Sequence, residues 1–139
     1  MQLTRLIYAS TISDELSVEE IKSIVKAARQ GNPASGLTGL LYFNRRYFLQ
    51  CLEGARTEVN DTFHRIQKDK RHKNIVILEY NEITERIFPD WSMGYLPESN
   101  TTQTVYMRFA NNPIFNPYLM RGKSALGLVK ALKETLSTK

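Results

Sequence analysis

The chain has 139 residues, enough for one domain with a hydrophobic core, or one domain and a short appendage. Its 42% hydrophobic and 24% charged content suits a soluble globular protein, and no apolar run approaches the roughly 20 residues of a membrane span. The single cysteine, Cys51, excludes an internal disulfide, and a net charge of +5 leaves nucleic acid, an anionic cofactor or neither as the partner.

The N-terminal MQLTRLIYAS carries no leader signal and opens directly into a strand pattern, so a cytoplasmic protein is expected. In residues 3–10 the alternation puts Leu6 and Tyr8 on one face and Leu3, Arg5 and Ile7 on the other. After a polar loop, Ser17 and Glu20 have capping-box spacing. A helix to about Arg29 is predicted, with Ile21, Ile24, Val25 and Ala28 as its apolar stripe, stopped by Gly31, Asn32 and Pro33. Residues 36–54, GLTGLLYFNRRYFLQCLEG, read as two apolar strands joined by a turn at Asn44, Arg45 and Arg46. In the second, Phe48, Gln50 and Leu52 share one face and Tyr47, Leu49 and Cys51 the other, which predicts a central strand covered on both sides. Residues 57–69 repeat the helical pattern with Val59, Phe63 and Ile66 inward, and the basic run 68–73 at its end suits the helix dipole. Residues 74–83 form a β-branched strand, and 90–96, DWSMGYL, a last strand with Trp91, Met93 and Tyr95 on one face. Residues 97–117 read as an extended linker with one helical turn. Residues 124–136 are amphipathic, with Ala125, Leu128, Val129, Leu132 and Leu136 on one side.

The order is β-α-β-β-α-β, an α+β ferredoxin-like plan with an additional strand. That plan puts both helices on one face of the sheet. The other face, with Ile7, Leu49 and Cys51, needs a cover, and the C-terminal helical segment is the candidate. The expected division is a domain over 1–96 and a linker with a helical cap or output segment over 97–139.

No metal site is expected, since His64 and His72 lack partners at ligand spacing. There is no Walker or Rossmann glycine loop, and neither the serines nor Cys51 has a base at recognisable spacing, so no enzyme is expected. What remains is a set of neutral hydrogen-bonding groups, with Tyr8 and Gln50 aimed at the helix side and Asn32 at the exit of the first helix. A buried amide without partners costs about 1–3 kcal/mol, so Gln50 must be satisfied by the protein or by a ligand. The space between the helices, lined by Ile24, Ala28, Phe48 and Ile66, suits a flat heterocycle, and the basic cluster suits a phosphate tail. Each residue also has a purely structural account: Gln50 as a core amide on backbone, Tyr8 as a strand aromatic, Asn32 as a helix stop, Met93 as filler.

Taken together, Tyr8, Asn32, Gln50, Trp91 and Met93, with GLTGLLYF and WSMGY, resemble the BLUF domain, a flavin-binding blue-light sensor. The resemblance runs from about Gln2 to Leu96, and the tail is similar to that of short single-domain members. It implies a bound FAD, with FMN as second candidate, whose ring lies between the two helices. Asn32 would bond its pyrimidine edge, Gln50 would bridge it to Tyr8, and Asp69, Arg71 and His72 would lie near the ribityl or phosphate end. Ile24, Phe48, Ile66 and Met93 would complete the cofactor site. Gly31 and Ala28 depart from the family, where a polar residue and, in some members, serine occur. The implied photochemistry moves an electron and a proton from Tyr8 and back, leaves Gln50 rotated or tautomerised, and shifts flavin absorption to the red. The signal would pass through Met93 and Trp91 to the C-terminal segment, and from there to a changed homo-oligomer or an unidentified partner protein. Two alternatives use the same plan. An RNA-binding module would need aromatics on an open sheet face. An acylphosphatase-like enzyme would need an arginine in the loop after the first strand, where residues 9–13 have none.

Overall fold

The fold, taken from a computed structural model, is described over residues 2–13, 17, 19–24, 26 and 36–137. Its strands are β1 (Leu3–Ile12), β2 (Thr38–Phe43), β3 (Tyr47–Ala55), β4 (His72–Ile83) and β5 (Gly94–Pro97). The helices are α1 (Arg56–Lys68), α2 (Asn100–Tyr106) and α3 (Gly122–Ser137), with a 3-10 turn at Pro117–Leu119 and a helical stretch at 19–24. The sheet order is β4-β1-β3-β2-β5, antiparallel except where β5 runs parallel to β2. This is the expected ferredoxin-like arrangement with an added edge strand.

The β2–β3 hairpin follows from its turn and from one glycine. Asn44 Oδ1 accepts the amides of Arg46 and Tyr47, both at 2.8 Å, which fixes the reversal. Gly39 sits at φ +156°, and a Cβ there would fall 1.8 Å from the Cys51 carbonyl oxygen, so only glycine allows the strands to pair. β3 is buried on both faces, as its apolar pattern requires. On one face Leu6, Tyr8, Phe48 and Leu52 meet Val59 and Phe63 of α1 and Ile21 of the 19–24 stretch. On the other, Ile7, Leu49 and Cys51 lie beneath Ala125, Leu128, Val129 and Leu132 of α3. The cover expected from the tail is therefore present, and the face that an RNA-binding sheet would expose is occupied. The side chains of Val25 and Leu136, and Ala28, lie outside the described set. Among the described residues, no helix is long and apolar enough to cross a membrane.

Three expectations need correction. The strand expected over 90–96 is confined to Gly94–Pro97, and Trp91, Met93 and Tyr95 do not share a face. Trp91 packs against Phe88, ring centroids 5.4 Å apart, in the core beneath α3, whereas Met93 and Tyr95 join the core on α1's side. The alternation fails because Pro89 and Asp90 form a turn and the chain then meets the sheet at Trp91 O, which accepts the Gly39 amide at 3.0 Å. The segment 97–117 is not an extended linker. It contains α2, started by a capping box in which Ser99 Oγ accepts the Thr102 amide and Thr102 Oγ1 accepts the Ser99 amide at 2.7 Å. Tyr42 ties this helix to the sheet by donating to Thr102 Oγ1 at 3.0 Å. Lastly, β4 starts at His72 and β1 ends at Ile12, two residues beyond each expected limit.

The loop between β4 and β5 is held by a buried carboxylate. Glu53, fully buried on β3, accepts Arg5 Nε at 2.9 Å and the amides of Ile87 and Phe88, each at 2.9 Å. On the outer side, Lys133 of α3 donates to Ile87 O and holds its ammonium 5.9 Å from the Phe88 ring centre. The loop is thus gripped between sheet and C-terminal helix. Replacing Glu53 with glutamine strips Arg5 of its countercharge inside the core and should destabilise the fold by about 3 kcal/mol. Urea unfolding measures this, and an unchanged midpoint would contradict the clamp.

Candidate functional site

Tyr8 and Gln50 are direct cross-strand partners on β1 and β3, so their side chains emerge side by side toward α1. Both are buried, at 1% and 5% exposure. The Tyr8 hydroxyl donates to Gln50 Oε1 in a short hydrogen bond, and Gln50 Nε2 donates to Met93 Sδ at 3.5 Å. A phenol is a strong donor and a thioether a weak acceptor, so the carboxamide is held tightly at its oxygen and loosely at its nitrogen.

Around this pair the walls are aromatic. Phe63 lies 5.5 Å from the Tyr8 ring, and His72 lies 5.0 Å from Phe48. His72 Nδ1 is 2.9 Å from Ser10 Oγ. Ser10 is the site residue that sequence reasoning missed, although its parity with Tyr8 places it on this face. Ile24 and Ile66 pack partly buried against the same core, as expected. At the α1–β4 junction Asp69 grips Arg71 through Nε at 2.9 Å and Nη2 at 2.6 Å, next to His72. The structure therefore brings Tyr8, Phe48, Gln50, Met93 and His72 together, with Asp69 and Arg71 alongside. It does not bring Trp91 to them, because that ring lies on the α3 side of the sheet. Asn32, Ala28 and Gly31 lie outside the described residues.

The electrostatics keep this site neutral. Burial, with a smaller contribution from the Asp69 carboxylate, pushes the Tyr8 phenol well above its ordinary value, so its proton stays on oxygen. Burial also pushes His72 down to about 4; Asp69 opposes this and Arg71 adds to it. The hydrogen bond from Arg71 holds the Asp69 carboxyl below its usual range. A neutral phenol, amide, thioether and imidazole can hydrogen-bond and orient a planar heterocycle.

The family model described as BLUF, sensors of blue-light using FAD, matches residues 3–94. The chain belongs to the BLUF family. It is a blue-light flavin photoreceptor that uses FAD. It is 43% identical over 76 residues to the blue light- and temperature-regulated antirepressor BluF of Escherichia coli (strain K12), a match covering 55% of this chain and 19% of that protein. It is 30% identical over 94 residues to the photoactivated adenylate cyclase subunit alpha of Euglena gracilis, which covers 66% of this chain and 9% of that one. The chain thus spans only a small part of either relative. Among solved structures, BlsA in its photo-activated state superposes with a TM-score of 0.84 at 34% identity, over 94% of each chain. The donor set described above fits the group this family uses: a buried phenol–amide pair on the α1 side of the sheet suits a flavin ring.

The buried neutral imidazole has a consequence for stability. Between its ordinary 6.5 and about 4, His72 takes up a proton in the unfolded chain but not in the folded one. Its contribution is therefore complete above pH 6.5 and is lost as pH falls through that window. The thermal midpoint should decline across this range, and His72→Gln should flatten the decline. Equal slopes in the two proteins would contradict a buried neutral His72.

Proposed function

We propose that light acts on this protein by rearranging the Tyr8–Gln50–Met93 hydrogen-bond chain, and that the change leaves the sheet through the β4–β5 loop to α3. The observation that carries this reading is the unbroken run of donors from the Tyr8 hydroxyl through the Gln50 amide to the Met93 sulfur. When bound, the flavin supplies blue-light absorption and an excited state able to take an electron from a neighbouring phenol. Gln50 and Asn32 would hold and orient its ring, and Asp69, Arg71 and His72 would line the ribityl or phosphate end. Tyr8 holds a proton that burial keeps in place in the dark, and the short bond to Gln50 Oε1 gives that proton a path. Rotation of the Gln50 side chain, or its tautomerisation, exchanges donor for acceptor at fixed positions. Either outcome changes what the Met93 sulfur meets.

Magnitudes show why the loop must take part. Losing one neutral hydrogen bond changes an equilibrium by about 1 kcal/mol, whereas moving a two-state population from 1:99 to 99:1 takes about 5.5 kcal/mol. Met93 alone is too weak a lever. It lies two residues from Trp91, which packs on Phe88, and Phe88 sits in the clamp made by Glu53 and Lys133. Loosening that clamp alters several charge-assisted bonds at once and frees α3 to change its contacts. The segment 97–139 then acts as the output, through self-association or a partner protein, and the chain works as a sensor rather than a catalyst.

Tyr8→Phe and Gln50→Leu proteins should each bind flavin yet lose the red shift of its bands under blue light. A retained shift in either contradicts the relay. Lys133→Met should keep the red shift but abolish the light-dependent change in amide exchange along α3. If that exchange response survives, the signal does not use this clamp.

A further inference from the structure

We infer that Ser10 is a positioning residue for the cofactor. It fixes His72 in the tautomer that carries its proton on Nε2. Given the reading above, that His72 lines the ribityl or phosphate end of the flavin, the ring then presents one N–H donor to an oxygen of that chain.

The strand register brings the pair together. Ala9 faces Val76 and Thr11 faces Lys73, so two residues of β4, Asn74 and Ile75, stand against Ser10 alone. Asn74 takes up the irregularity at φ +53°, a left-handed conformation that asparagine adopts more readily than most residues. This extra residue decides where His72 goes. Continued without it, the Ala9–Val76 register would set Lys73 opposite Ile12; with it, His72 is opposite Ile12. A one-residue slip turns every side chain to the other face, so the bulge puts His72 on the face of Ile12, Tyr8 and Phe48. There the imidazole centroid lies 5.0 Å from that of Phe48 and 6.4 Å from that of Tyr8.

The hydrogen bonds decide where the proton sits. Ser10 is fully buried, and its Oγ lies 2.9 Å from His72 Nδ1. Among the described residues, neither Ser10 Oγ nor the His72 ring has another hydrogen-bond partner. A proton on Nδ1 would be donated to Ser10, and the serine's own O–H would be left in the core with no acceptor. Leaving a buried donor unmatched costs more than one neutral bond contributes. With Ser10 donating to Nδ1, that deficit does not arise. Burial keeps the imidazole uncharged, against the Asp69 carboxylate and with help from the Arg71 guanidinium. A neutral ring that accepts at Nδ1 holds its one proton on Nε2. A pair that served only the core would satisfy Nδ1 and leave Nε2–H, on a side chain 9% exposed, without an acceptor. An oxygen of the cofactor supplies one.

The first test needs no variant of Ser10. In the full FAD-loaded chain with nitrogen-15 in its histidines, ring nitrogen–proton NMR correlations at neutral pH should show His72 protonated at Nε2 and bare at Nδ1. His64 is told apart because its signals persist in His72→Phe. A proton on His72 Nδ1 overturns the role of Ser10 and leaves the place of His72 at the flavin standing. The second test follows release of FAD from the loaded chain by the fluorescence of free flavin. Ser10→Ala should speed release about fivefold, the scale of one neutral hydrogen bond, and turn His72 into a mixture of tautomers. His72→Phe should speed release at least as much, and adding Ser10→Ala to it should change nothing further. An equal effect of Ser10→Ala in both backgrounds would make the serine a packing residue and overturn the proposal. Release unchanged in His72→Phe would overturn it together with the reading that His72 meets the flavin.

Discussion

A carboxamide in the middle of a doubly covered strand is the constraint on which the rest of this structure depends. β3 has a core on each side, so Gln50 cannot turn to water and must be satisfied by side chains or by a ligand. The protein meets that demand unequally, with a phenol on the amide oxygen and a thioether on the amide nitrogen. A symmetric, fully satisfied amide would be a rigid core element. One held firmly at a single end can exchange its donor and acceptor with a small change in free energy, which is the property a light-driven switch needs.

Turning one amide is a weak event, and in the proposed relay the fold would amplify it by geometry. Glu53 lies on the same strand as Gln50, one residue beyond Leu52, and its carboxylate fixes the backbone of Ile87 and Phe88. That short loop also carries Trp91 toward the core beneath α3 and leads to Met93 beside Gln50. Lys133 closes the arrangement from the helix side. Sheet, loop and C-terminal helix therefore share one set of charge-assisted bonds. In the proposed relay, a disturbance at Met93 would reach α3 through Trp91, Phe88 and Lys133.

The parts of this architecture governed by alternation and helical spacing were legible in the sequence. The two faces of β3 and the placing of Tyr8 and Gln50 on one side of the sheet follow from side-chain period, and α3 as the cover over Ile7, Leu49 and Cys51 follows from that period within the ferredoxin-like plan; the bond between Tyr8 and Gln50 was implied only by the family resemblance. The same rule failed at Trp91 and Met93, because alternation holds only inside a strand and here the strand starts later, at Gly94. α2 went unseen because its capping box uses Thr102 where glutamate or glutamine is the usual sign. Ser10 was readable from parity but carried no chemical flag. Glu53 reads as an ordinary strand acid until the loop that it holds is placed above it.

The measurement that tests this account most directly is a light-minus-dark infrared difference spectrum of the flavin-loaded protein with carbon-13 in the glutamine side chains. The Gln50 band is assigned by its absence in Gln50→Leu. The account predicts a reversible shift of that side-chain carbonyl band on blue illumination, recovering in the dark with the same time course as the visible absorption. A glutamine band that stays fixed while the flavin bands move would place the switch elsewhere in the site.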